Sequence, residues 1–310
     1  SRYIKKTEAT KLSIEEFKNL IDEVVNCGCV PMATPFDEAS VQLCGTFDLP
    51  IIKVASSDIA TWPLLEKIAS LKKPVIISTG GATEKNIDDC VKFFEHRNIP
   101  LAINHCVSLY PSEDSELELN QIDYLKNRYP NHVIGFSTHE MTDWENSMLL
   151  SYGKGARTWE RHIDIDFEGV PVSPYCSLPH QIDTWFKAFH KAKEMCGGSS
   201  TKRRVVEKKE VEYLDNLVRG IYIKEKIAAG KELSVDDVYL AVPLQKGQIS
   251  SREFMEGFTA KGPLDKDQPL LVTNLDSDYY QNYLKAKKAG VKFLAYRCHL
   301  SSKEIKIEKK

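Results

Sequence analysis

The chain has no apolar run approaching the ~18 residues that cross a bilayer as a helix, and no signal peptide is visible. Neither charge is in excess. A formal net charge of -2, from 42 basic and 44 acidic residues, leaves no footprint for nucleic acid or an anionic membrane. The eight cysteines lack zinc-knuckle spacing: Cys27 and Cys29 form C-G-C, while Cys90 and Cys106 fall inside apparent secondary structure. Reduced, buried thiols in a cytoplasmic protein are the expectation. No Gly-rich dinucleotide fingerprint follows a strand-like run. What is left is a chain of 310 residues, 42% hydrophobic and 28% charged, long enough for about two domains.

The pattern Ser13–Val25 predicts a helix capped by Ser13 and Glu16, with Phe17, Leu20, Ile21 and Val24 as its apolar stripe. An alternation follows. Strand-like runs at 29–35, 51–57, 74–79, 101–107, 133–139 and 157–163 are separated by helical patterns near 39–46, 61–71, 83–97, 115–128, 142–153 and 179–196. Near-continuously apolar strands predict a parallel α/β sheet covered on both faces. Regular spacing favours a (β/α)₈ TIM-type barrel lacking its first two strands in this chain. Residues 1–196 are thus assigned to the barrel and 197–212 to a charged linker. Residues 213–274, with repeated Gly-Lys and Pro turns, form a small mostly-β domain. Residues 275–310 form an extension of no assigned role, with a strand at 291–296.

Two strands end on histidines. Side chains alternate along a strand, so Ser137 shares a face with His139, and Glu160 with His162. Neighbouring parallel strands would bring both imidazoles to the carboxyl edge, where α/β enzymes build their sites. Two neutral imidazoles plus waters suit Mn²⁺, Fe²⁺ or Zn²⁺, although a histidine at a strand end is commonly structural. Lys53 lies inside an apolar strand and must meet an anion if buried. With Ser78, Thr79 and Gly80-Gly81 it makes a phosphate or carboxylate cradle; a structural ion pair and a Schiff-base lysine are the alternatives. Asn104, Cys106 and Ser108 share one face of their strand, and His105 takes the other as a packed residue. The remaining histidines, His96, His132, His180, His190 and His299, read as surface residues.

The runs I-K-V-A-S-S-D, I-S-T-G, H-C-V-S-L-Y-P, G-F-S-T-H-E and W-E-R-H-I, followed by GKELS-x-DD, resemble the N-acetylneuraminate (sialic acid) synthase family. Within it the spore-coat polysaccharide branch is most similar, and the resemblance covers about Leu12 to Thr273. It implies a (β/α)₈ barrel joined to a C-terminal antifreeze-like (SAF) domain. It also implies condensation of phosphoenolpyruvate with an N-acylated aldose to a nonulosonic acid, with release of phosphate. The implied cofactor is Mn²⁺, with Mg²⁺ or Co²⁺ as alternatives. His139 and His162 would be the metal ligands, and Lys53, Ser78, Thr79, Ser108 and Ser137 the phosphoenolpyruvate contacts. Lys53 and Asp58 would be catalytic, Asp58 handling the proton of the attacking water. A homodimer exchanging the SAF domain is implied as well.

Departures bear mainly on the sugar. Thr138 stands where the family has aspartate, Ser173 and Pro174 where it has an Asp-His pair, and Val242 where an arginine meets the acyl group. N-acetylmannosamine is therefore expected to be a poor substrate. Six strands and an opening without methionine lead to the expectation of a fragment of a protein of about 370–390 residues, from two further βα units. The alternative functions are a metal-dependent aldolase and a sugar-phosphate-binding or regulatory protein on a degenerate barrel.

Overall fold

Six short parallel strands, paired in chain order, frame the first part of the molecule. They are β1 (Met32–Ala33), β2 (Ile51–Val54), β3 (Val75–Ser78), β4 (Leu101–Cys106), β5 (Val133–Thr138) and β6 (Thr158–Arg161). The computed structural model describes residues 4, 8, 10–169, 171–198 and 201–276. It divides into two compact units, Ser1–Gly198 and Ser199–Lys310. The six strands belong to the first and curl into a half-barrel, consistent with part of a TIM-type barrel.

The helices of the first unit are α1 (Ile14–Asn26), α2 (Glu38–Thr46), α3 (Trp62–Ser70), α4 (Glu84–Glu95), α5 (Asn120–Arg128), α6 (Asn146–Lys154) and α7 (Pro179–Cys196). Local chemistry starts and stops them. Ser13 and Glu16 form the capping box of α1, the Asp37 carboxylate accepts from the Ser40 amide, and Thr83 caps α4. Gly155, at φ 100°, ends α6 in the left-handed conformation that a side chain resists. Helix α1 is amphipathic as read, but its apolar stripe is only partly covered: Ile21 and Val24 are half-buried, while Phe17 and Leu20 are exposed. The predicted helix near 115–128 is a 3₁₀ turn at Asp114–Glu116 followed by α5.

The strands are also not apolar on both faces. Ile52, Val54, Val75, Ile77, Ile103, Ile134 and Phe136 point outward and pack with Leu64, Leu65, Ile68, Val91, Phe94, Ile122 and Leu125 of the helices. Fully burying each such side chain contributes about 1.5–3 kcal/mol. The ladder registers put Lys53, Ser78, Asn104, Gly135, Ser137, Thr158 and Glu160 on the opposite, inner face. Short β-branched runs resemble continuously apolar strands because each holds only one or two polar inner positions.

The second unit holds helix α8 (Lys208–Asp215), which begins in the stretch read as linker and runs past its assigned end, and two antiparallel ribbons. Strand β7 (Gly220–Ile223) pairs with β9 (Val238–Ala241), and β8 (Glu232–Leu233) with β10 (Phe258–Thr259). Ile221, Ile223, Ile249, Phe258 and Leu270 form its core. The predicted strand at 291–296 and His299 lie outside the described residues. Among the described residues Cys44, Cys90 and Cys106 are buried, while Cys27, Cys29 and Cys196 are exposed, against expectation.

Candidate functional site at the strand ends

The inner face gathers the polar residues at the carboxyl end of the sheet. Lys53 is 3% exposed, and its Nζ lies 3.2 Å from Glu160 Oε2 and donates to the Val54 carbonyl at 3.3 Å. A buried ammonium needs such a counter-charge. Glu160 also accepts from Asn104 Nδ2 at 3.5 Å, and Asn104 Oδ1 takes the Thr158 hydroxyl at 2.8 Å. Close approach here requires Gly135, whose missing Cβ would collide with Thr158 and Asn104. Ser78 is buried, and its Oγ has no hydrogen-bond partner among the described residues. Ser137 is buried beside Glu160 in the ladder.

His139 and His162 meet, with ring centroids 5.3 Å apart. The Val107 carbonyl lies 2.9 Å from His139 Nδ1 and can only accept, so that nitrogen carries the proton and Nε2 is left with a lone pair. Burial pushes the His139 pKa down, with the neighbouring His162 adding to it. His162 keeps part of its surface open to solvent. Burial of the rest lowers its pKa, against Glu160 and with Lys53 and Arg161. Both rings are therefore neutral at neutral pH. Tyr110 stands over the pair, 4.0 Å from His139 and 6.1 Å from His162 between ring centroids, and Tyr175 lies 5.2 Å from His162.

Three predicted residues sit differently. The Thr79 hydroxyl donates to the Asn104 carbonyl at 3.2 Å, so it braces β3 against β4. Asp58 accepts from the hydroxyls of Ser57 and Thr61 and closes its own turn. Ser108 is exposed and packs where a Cβ on Gly80 would fall, near Ser56, which accepts from the Gly80 amide. His105 is packed as expected, its Nε2 2.7 Å from the Leu117 carbonyl and its ring stacked on Phe136. His132 is no surface residue, since it bridges Glu95 and the Leu101 carbonyl. Glu160 and the two tyrosines received no role from the sequence. The shared face of Glu160 and His162, and S-L-Y-P at the end of β4, were the available signals.

Among the described residues, no group of three or more His, Cys, Asp or Glu side chains is arranged to hold a metal ion, and no helix is long and apolar enough to cross a membrane. The NeuB family model matches residues 1–201. This chain belongs to the NeuB family. Among relatives, the N-acetylneuraminate-9-phosphate synthase of Drosophila melanogaster is 35% identical over 153 residues, 48% of this chain and 40% of the fly protein. The N,N'-diacetyllegionaminic acid synthase of Campylobacter jejuni is 27% identical over 256 residues, 81% and 71% of the two chains. The solved structure of a spore coat polysaccharide biosynthesis protein E from Chromobacterium violaceum superposes with a TM-score of 0.81 at 35% identity, covering 89% of this NeuB chain and 82% of that one.

Proposed function

We propose that this NeuB chain condenses phosphoenolpyruvate with an N-acylated, mannosamine-like aldose to give a nonulosonic acid, consuming one water and releasing phosphate. The observation that carries the reading is the buried Lys53 ammonium, on the inner face with Ser78, whose Oγ has no partner among the described residues, and with two neutral imidazoles. Lys53 binds an anion by exchanging part of its contact with Glu160 for phosphate or carboxylate oxygens. Ser78 and Ser137 add hydroxyl donors, and Ser108 lies at the rim. Glu160, released from Lys53, accepts the proton of the water that adds to the former enol carbon. Asp58, in the turn between β2 and α3, is the second carboxylate for that proton.

His139 and His162 fit a catalytic divalent ion, Mn²⁺ with Mg²⁺ or Co²⁺ as alternatives. Their nitrogens are neutral, one is presented by a carbonyl behind it, and the remaining coordination positions fall to oxygen ligands. When bound, such an ion supplies Lewis acidity to an aldehyde oxygen. The second unit, with its G-K-E-L-S-x-D-D pattern, acts as an SAF-type domain in a homodimer, which light scattering tests by mass.

Incubation with phosphoenolpyruvate and N-acylated hexosamines should release inorganic phosphate and yield a product of the summed mass plus water minus phosphoric acid. A chelator should stop the reaction and Mn²⁺ restore it. Lys53→Met should raise KM for phosphoenolpyruvate about 10-fold or more, as expected for losing a charged hydrogen bond, with KM for the sugar little changed. Binding of phosphoenolpyruvate without phosphate release from any aldose would overturn the reading in favour of a binding protein.

A further inference from the structure

The two histidines stand just where their strands stop pairing. The β5–β6 ladder ends at Thr138 opposite Arg161. Beyond it, Glu140 bridges to Ser112 and Ile163 to Ser177, so each strand turns to a different neighbour. No backbone pair then sets the distance between His139 and His162. Glu140 follows the first histidine and Arg161 precedes the second, and alternation puts both on the outer face, behind the imidazoles. There Arg161 Nη1 lies 2.9 Å from Glu140 Oε1, with the side chains 1% and 0% exposed. Arg161 Nη2 donates to the Glu140 carbonyl and Nε to the Ser177 hydroxyl. Ser177 also takes Trp144 Nε1 at 2.7 Å, and its amide donates to the His162 carbonyl at 2.9 Å. Ser147 of α6 donates to the Glu140 carboxylate, and the Ser112 amide to the His139 carbonyl at 3.2 Å.

An ion pair this buried is a poor source of stability. Desolvation offsets most of its Coulomb gain, and neither Glu140 Oε2 nor Arg161 Nη1 has a hydrogen-bond partner among the described residues. Its planar fork, joined to both strand ends, is suited to fixing geometry. We propose that the Glu140–Arg161 pair is the positioning device that sets the separation and aim of His139 and His162, and so tunes the site for a divalent cation. This rests on reading the two histidines as ligands. Glu140 and Arg161 touch neither substrate nor ion and act through the strand ends.

The test uses Co²⁺ as the probe with the full chain. Its visible d–d bands report ligand geometry, and calorimetric titration reports affinity. The wild-type protein should bind one Co²⁺, and His139→Ala should abolish binding. Glu140→Gln and Arg161→Lys should weaken Co²⁺ about 10–100-fold and shift the bands, in line with the loss of outer-sphere partners at metal sites. Because single replacements leave a buried charge unpaired, the double variant Glu140→Leu/Arg161→Met decides the matter if they unfold. It should melt near the wild-type temperature or above it, yet still bind Co²⁺ weakly. Wild-type affinity and spectrum in the folded double variant would overturn the positioning role while leaving the histidines as ligands. Failure of the wild-type protein itself to bind Co²⁺ would overturn both.

Discussion

At the scale of single residues, His105 shows how a buried ring ties stability to pH. It contacts the Leu117 carbonyl and Phe136, and burial holds its pKa below the ordinary value. The unfolded chain takes up a proton near pH 6.5 that the folded ring refuses. Stability from this group is therefore complete above about pH 6.5 and declines as the pH falls below it. Denaturant titrations at pH 7.5 and 5.5 should show the loss, and His105→Gln, which keeps a donor for the Leu117 carbonyl, should make the slope shallower. A slope unchanged by that replacement would locate the effect elsewhere, at His139 and His162. Both the packing of His105 and the meeting of His139 with His162 were legible in the sequence, because strand alternation is a strict period of two. The Lys53–Glu160 pairing was open only as one of three readings. The partnership of Glu140 and Arg161 was not legible, since it depends on where one strand pair stops, and register is a tertiary property.

Between elements, the clearest polar joint links α4 and α5. Arg128 Nε lies 2.9 Å from Asp88 Oδ1, and Tyr129 donates to the same carboxylate at 2.6 Å. The Arg128 hydrogen bonds, helped by Tyr129 and opposed by burial, bring the Asp88 pKa down to about 2. This carboxylate binds its proton more weakly folded than unfolded, so the joint contributes fully above about pH 4 and is lost as the pH drops toward 2. Asp88→Asn should lower the melting temperature at pH 7 and converge with the wild-type protein near pH 2. Equal destabilisation at both pH values would mean packing, with no charge contribution. The helices were the most legible elements: the predicted span 179–196 coincides with α7. Strands were placed but overextended, as with β1, where only Met32 and Ala33 pair. The charged stretch in which α8 begins was read as linker because its apolar stripe is short, Val211 and Leu214 among Lys and Glu residues.

For the whole molecule, each of the two units packs its own apolar residues, which implies two places where damage can be confined. Ile221 is 0% exposed in the core of the second unit. Ile221→Ala should cost about 2–5 kcal/mol, and hydrogen exchange should accelerate in residues 220–276 with the amides of β2–β5 unchanged. Acceleration throughout would show that the units unfold together. The half-barrel itself carries a different consequence. Its outward positions are mostly Ile and Val, while its inward ones include Lys53, Ser78, Asn104, Ser137, Thr158 and Glu160, and the two sets alternate along each strand. Inheritance of fold and inheritance of chemistry are thus written on alternate letters. In a library of variants sorted once for abundance and once for turnover, tolerance along β4 would flip with residue parity. Leu101, Ile103 and His105 would be guarded by the first sort, and Asn104 and Cys106 by the second.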